Sequence, residues 1–120
     1  SYITHFFSTD EMIPAPGQGA IIITCAKLHY QRLSPLVKLN DLATSQCVHL
    51  ERLIAQELDC DCHDAVGIHA RIKQHNTIAL SVGIEVQNEL KQFSTTIDTA
   101  IDPNPQIKVF LNEIRDARSK

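Results

Sequence analysis

The residues best suited to chemistry in this 120-residue chain sit side by side, at Cys60-Asp61-Cys62-His63, with two further thiols at Cys25 and Cys47. A thiol can bridge to another thiol, ligate a soft metal or, once ionised, act as a nucleophile. Bridging is disfavoured: a Cys60–Cys62 disulfide would be strained by its short spacing. Nothing marks the chain as secreted, so reduced thiols are expected. Metal binding would need Cys60, Cys62 and His63 to be completed by Cys47, His49 or His69. A Cys-x-Cys-His without a second paired motif is not a standard zinc spacing, and no metal site is assigned. Judged alone, Cys60 and Cys62 read as incidental thiols, Cys47 as a buried core thiol and Cys25 as strand filler.

A second segment, Pro14-Ala15-Pro16-Gly17-Gln18-Gly19, is built to change direction. Two prolines and two glycines within six residues cannot continue a helix or a central strand, so this is a hinge or crossing. For Gln18, a role in turn structure and contact with a ligand are evenly balanced on residue type alone.

The elements that must position these residues can be read from periodicity. Residues 1–13 have no clear period. Ala20-Ile21-Ile22-Ile23-Thr24-Cys25-Ala26 is continuous, apolar and β-branched, and reads as a strand buried on both faces. No βαβ repeat surrounds it, so its partner strands lie elsewhere. Residues 31–38 read as a short helix. Asn40 or Asp41 caps a longer one reaching about Leu58, with Ala43, Cys47, Leu50, Ile54 and Leu58 on its apolar face. Glu51, Arg52, Gln56 and Glu57 cover its other faces, and Glu51-Arg52 reads as a helix-surface or interdomain ion pair. A loop over 59–67 leads into a hairpin with alternating Val66, Ile68, Ala70, Ile72 and Ile78, Leu80, Val82, Ile84, Val86, turning at 73–76. A third strand is expected over 92–97. Pro103-Asn104-Pro105 opens a last helix, with Asn104 as cap and an apolar stripe at Ile107, Phe110, Leu111 and Ile114. The order gives an α+β fold: a small three-stranded antiparallel sheet with helices on one face.

Composition narrows the function. A hydrophobic share of 43% supports a core, and with no Trp that core must be aliphatic. A net charge of −3 argues against nucleic acid as a partner. No apolar run nears the roughly 20 residues of a membrane span. The start, SYITHFFSTDEM, has no secretory pattern and no initiator Met, which suggests a processed, truncated or excised chain.

Three segments together resemble one family, the hydroxymethylbilane synthases (porphobilinogen deaminases). Pro14-Ala15-Pro16-Gly17-Gln18-Gly19-Ala20 resembles the family's Pro-Ala-x-Gly-Gln-Gly-Ala. Leu39-Asn40-Asp41 with Thr44 and Glu51-Arg52 resembles its Leu-Asn-Asp…Thr…Glu-Arg. Leu58-Asp59-Cys60-Asp61-Cys62, followed by Gly67 and Ala70, resembles its Leu-Glu-Gly-Gly-Cys…Gly…Ala loop. The likeness runs from about Glu11 to Ala70. Here Cys60 and Asp61 replace the two glycines, and His63-Asp64-Ala65 replaces Gln-Val-Pro.

The resemblance implies a transferase of tetrapyrrole, and hence heme, biosynthesis. It joins four porphobilinogen units into linear hydroxymethylbilane, releasing ammonia, on a dipyrromethane primer tethered by a thioether. It implies Cys62 as the covalent anchor, and Gln18, Gly19 and Ala20 as further cofactor contacts, through backbone N–H groups and the Gln18 amide. Residues 1–40 would then be the hinge, returning strand and short helix of an otherwise missing α/β domain, and 41–120 the cofactor-carrying C-terminal domain. The family's catalytic aspartate and most substrate-binding arginines belong to upstream domains, so no catalytic residue is assigned and the isolated segment is expected to be inactive. The family is cytoplasmic and usually monomeric, with no membrane partner. The rival expectation is a non-catalytic remnant that binds a protein through the orphan strand, and a Cys/His metal-binding module stands third.

Overall fold

In a computed structural model, residues 2–60 and 65–119 are described. Three antiparallel strands, β1 (Val66–Gln74), β2 (Thr77–Val86) and β3 (Glu89–Asp98), form one sheet in the order β1-β2-β3. Even-numbered β1 and β2 residues alternate onto one face, and the register Ile78↔Ile97 brings Ile97 to the same side. That face carries Ile68, Ala70, Leu80 and Val82. It packs against Leu50, Ile54 and Leu58 of or beside α2 (Leu42–Glu57) and Ile107, Phe110, Leu111 and Ile114 of α3 (Asn104–Ser119). The expected α+β arrangement, with both helices on one sheet face, is therefore present. Ile54, Ile68, Leu80 and Ile114 are buried to below 2% exposure. Each such side chain contributes about 1.5–3 kcal/mol relative to exposure.

Local chemistry sets the boundaries. Of the two candidate caps for α2, Asp41 takes the role: its carboxylate accepts from the Thr44 N–H at 2.7 Å. That bond holds the Asp41 carboxyl below the ordinary carboxylate range. At the far end, Asp59 adopts φ 51, the Cys60 N–H donates to the Ala55 carbonyl, and the Asp59 N–H donates to that of Gln56. This is a Schellman closure, and it sends the chain into residues 61–64. Arg115 and Arg118 of α3 donate to the Glu57 and Leu58 carbonyls at 2.6 and 3.1 Å, tying the two helices together.

The β2–β3 connection is a two-residue turn in which Gln87 (φ 55) and Asn88 (φ 63) are both left-handed. That geometry matches the strand twist and lets β3 begin at Glu89, earlier than the expected Gln92. At the start of α3 the Pro103 carbonyl accepts from the Ile107 N–H, so Asn104 already lies inside the helix. The Asp102 carboxylate, rather than Asn104, caps it by accepting from the Asn104 N–H at 3.0 Å.

The amino-terminal part departs most from expectation. Ala20–Ala26 forms no strand: Ala26 is extended, yet no ladder partner exists among the described residues, and Ile21 is 94% exposed. A strand is fixed by its neighbours more than by its own propensity. The short helix expected over 31–38 is instead a run of 3-10 turns at Lys27–His29 and Ser34–Leu39 flanking one α-turn, α1 (Tyr30–Leu33). Because this arm stands away from the core, the radius of gyration is 16.5 Å, against about 13.6 Å for a compact chain of this length.

Candidate functional site

β1 is an edge strand, and an edge presents backbone groups that need partners. Its outward N–H groups alternate, at Ile68, Ala70 and Ile72, and each finds a different one. The Ile68 N–H donates to the Pro14 carbonyl at 2.8 Å. The Ala70 N–H donates to Glu51 Oε1 at 2.7 Å. The Ile72 backbone lies beside the Cys47 thiol and favours its ionised form. The Pro/Gly-rich bend and α2 together therefore cover the edge.

Glu51 is the centre of this arrangement. Its side chain is 6% exposed, and its second oxygen accepts from the Gly17 N–H at 2.7 Å. His69 Nδ1 stands 3.5 Å from Oε1. From sequence, Glu51 is expected among the residues covering the helix's outer faces, paired with Arg52. The structure overturns that: Glu51 faces inward to the bend and β1, while Arg52 is exposed. The signal was present in the spacing, since Glu51 lies four residues after Cys47 and three before Ile54, on the apolar stripe itself. Its charge masked it. A buried carboxylate is tolerated when hydrogen-bonded, and here two backbone donors meet it.

The approach of the bend depends on Gly67. A Cβ there would stand 2.3 Å from the Ile13 carbonyl oxygen. Gly67 pairs across the ladder with Gly83, and the two form a notch into which Ile13 fits. A glycine inside a strand marks such a close backbone approach.

Beyond Ile13 the chain turns sharply, with Gly17 at φ 71 and Gly19 at φ 84. The Gln18 N–H donates to the Ala15 carbonyl at 3.0 Å, and the Ala15 N–H donates to the Gln18 side-chain oxygen at 3.1 Å. Gln18 thus builds the turn with its oxygen. What it can offer a ligand is its amide NH₂, a donor. Nothing lies within 4 Å of the position a Cβ would take on Gly19.

The expected site residues Gln18, Gly19 and Ala20 are brought together on one wall of an open groove of about 410 Å³, with Cys47, Glu51 and His69 on the other. A larger depression of about 800 Å³ adjoins it, lined by Gly19, Ala20, the exposed Ile21–Ile23 and Arg52. Cys62, the expected covalent anchor, lies outside the described residues, as do Asp61, His63 and Asp64. Cys60 packs against the core and donates weakly to the Leu58 carbonyl at 3.8 Å. Cys47 is half-buried against the core, as expected of a core thiol. Burial and then the nearby Glu51 charge push its thiol up from its ordinary value. Cys25, expected inside a strand, is exposed. Among the described residues no group of three His, Cys, Asp or Glu side chains could hold a metal, and no helix is long and apolar enough to cross a membrane.

No family model matches the chain. It is similar, however, to curated porphobilinogen deaminases. It is 38% identical over 91 residues to that of Helicobacter acinonychis (strain Sheeba), covering 72% of this chain and 29% of the relative. It is 43% identical over 74 residues to that of Clostridium botulinum (strain Hall), covering 61% and 25%. It is 40% identical over 70 residues to that of Clostridium acetobutylicum, covering 58% and 24%. The relationship to the porphobilinogen deaminases indicated by the three motifs is therefore shown, and the chain spans about a quarter of the length of the curated relatives it matches.

Proposed function

From that relationship we propose that the chain is the C-terminal portion of a porphobilinogen deaminase, and that its task is to hold a dipyrromethane primer. The observation that carries this reading is the sequence similarity at 38–43% identity to proteins named for this activity. In this reading Cys62 is the anchor. Its sulfur forms a bond to a pyrrole methylene carbon, ammonia leaves that carbon, and the thiol proton leaves with the ammonia. Such a thioether resists hydrolysis and holds the primer through repeated additions.

The groove beside the bend suits a polyanionic primer in two respects. The space over Gly19 is open, so backbone can approach a carboxylate, and the Gln18 amide presents a donor once its oxygen is engaged by Ala15. When bound, the dipyrromethane supplies the anchored end on which the chain of pyrroles grows. In this reading Gln18, Gly19 and Ala20 orient it along the groove.

The catalytic aspartate and most of the arginines are assigned to the rest of the enzyme. Of the arginines in this chain, Arg115 and Arg118 are committed to the end of α2, and Arg52 lines the larger depression. The exposed, uncharged Ala20–Ala26 would then join a sheet of that remainder, in the cytoplasm. Porphobilinogen is the substrate of the whole enzyme, and these 120 residues alone should not turn it over. A second reading, a non-catalytic domain that binds a protein, is favoured by the same exposed isoleucines.

The intact mass of the full-length enzyme that carries this segment, purified from cells that make porphobilinogen, separates the two. A mass increase of two linked pyrrole units, lost in Cys62→Ser, is expected. An unmodified chain supports the second reading instead.

A further inference from the structure

We propose that Glu51 is the positioning residue of the bend, and that with the Gly67/Gly83 notch it makes residues 13–17 a fixed part of the sheet-and-helix unit, leaving Gly19 as the pivot. Three independent contacts clamp the segment. The Ile13 backbone fills the space a side chain on Gly67 would need. The Pro14 carbonyl accepts from the Ile68 N–H. Glu51 receives the Gly17 N–H on one oxygen and the Ala70 N–H on the other, each at 2.7 Å, and so bridges the bend to β1 through one carboxylate. A bidentate acceptor fixes distance and direction together, which a single hydrogen bond does not.

Past Gly17 the clamp ends. Gly19 is left-handed at φ 84, and nothing lies within 4 Å of where its Cβ would stand. Among the described residues, the backbone hydrogen bond of the partly buried Ala20 runs from its N–H to the Gly17 carbonyl at 3.1 Å, a bond inside the turn itself. The change of direction between the clamped segment and the arm can therefore be absorbed at Gly19 without breaking a contact to the sheet. A hinge is a few residues that take up backbone rotation while their flanks stay packed. The clamp also sets where Gln18 stands relative to β1. On the reading that Gln18, Gly19 and Ala20 contact the primer, Glu51 acts on that site through the bend and does not touch the ligand.

Hydrogen exchange of the full chain, read by mass spectrometry, tests this. In Glu51→Gln the amide offers only one acceptor oxygen, so one of the two backbone donors loses its partner. Exchange in peptides covering Gly17 and Ala70 should accelerate about tenfold or more, while the amides of α3 exchange as in the parent. Glu51→Asp keeps the charge but shortens the reach by one methylene, and should loosen the same two peptides while leaving α3 unchanged. Unchanged exchange at Gly17 in both variants would overturn the proposal. So would acceleration that includes α3 in both, because Glu51 would then be a general stabiliser and not a clamp. Exchange at Gly17 is read whether or not Cys62 carries a primer, so failure of the clamp and failure of the primer reading give separate signals.

Discussion

Two stretches of this chain are similarly rich in aliphatic residues and have opposite fates. In the sheet and the helix after residue 65, Ile68, Leu80, Val82, Ile97 and Ile114 are almost wholly removed from water. In the arm before residue 40, Ile21, Ile22, Ile23, Leu28 and Leu39 are at least 59% exposed. The difference lies in partners, not composition. The later strands find each other through short turns and bury one face against two amphipathic helices. Ala20–Ala26 has no strand beside it among the described residues. The bend bridges these regimes by lending its Pro14 carbonyl and Gly17 N–H to the sheet edge and to Glu51.

Cutting side chains in each region gives the largest contrast. Leu80→Ala and Ile114→Ala should each lose about 2–5 kcal/mol in urea unfolding, a large part of a small domain's stability. Ile22→Ala, at 59% exposure, should stay within about 0.5 kcal/mol. An equal loss at Ile22 would mean that the arm is packed in solution. Gly67→Ala comes next. Its methyl would meet the Ile13 carbonyl at 2.3 Å, and relief requires the backbone to move. About 1–3 kcal/mol should be lost, with the Ile68 amide becoming exchangeable as Pro14 withdraws. Arg115→Ala removes a half-exposed link between α3 and the end of α2, and should cost about 1 kcal/mol or less by thermal unfolding.

Two effects of pH are smaller. The Asp41 carboxyl is lowered by its bond to Thr44, so its contribution is present above the ordinary carboxylate value and is lost as pH falls through the lowered one. Asp41→Asn, still able to cap, should flatten that acid limb of the melting curve. Cys47 is the opposite case. Its thiol is raised, so its contribution is complete below the ordinary thiol value and fades as pH rises through the raised one. Alkylation at neutral pH should therefore modify exposed Cys25 well before Cys47, and equal rates would mean that the edge of β1 opens freely.

How much of this was legible in the residues differs by element. The core of the sheet, α2 and α3 followed from alternation and from spacings of three and four, because each buries one face against its own neighbours. The β2–β3 turn was hidden because Gln87 and Asn88 adopt a glycine-favoured conformation without glycine. Ala20–Ala26 had the residues of a buried strand, yet propensity cannot supply a partner. At the site, Gln18, Gly19 and Ala20 are named from the bend and the family motif, and their contact with a primer stays a proposal. Glu51 is not so named, since a carboxylate in a helix reads as surface until the Gly17 and Ala70 N–H groups are seen to meet it. Cys62 stays a proposal from sequence, lying outside the described residues.

That thiol is also where the functional reading can be tested most sharply. Trypsin should release residues 53–71 as one peptide containing both Cys60 and Cys62. Fragmentation of that peptide, from the full-length enzyme made in cells that produce porphobilinogen, should place two linked pyrrole rings on Cys62 and leave Cys60 bare. A bare Cys62, or the added mass on Cys60, would contradict the assignment of Cys62 as the primer's anchor.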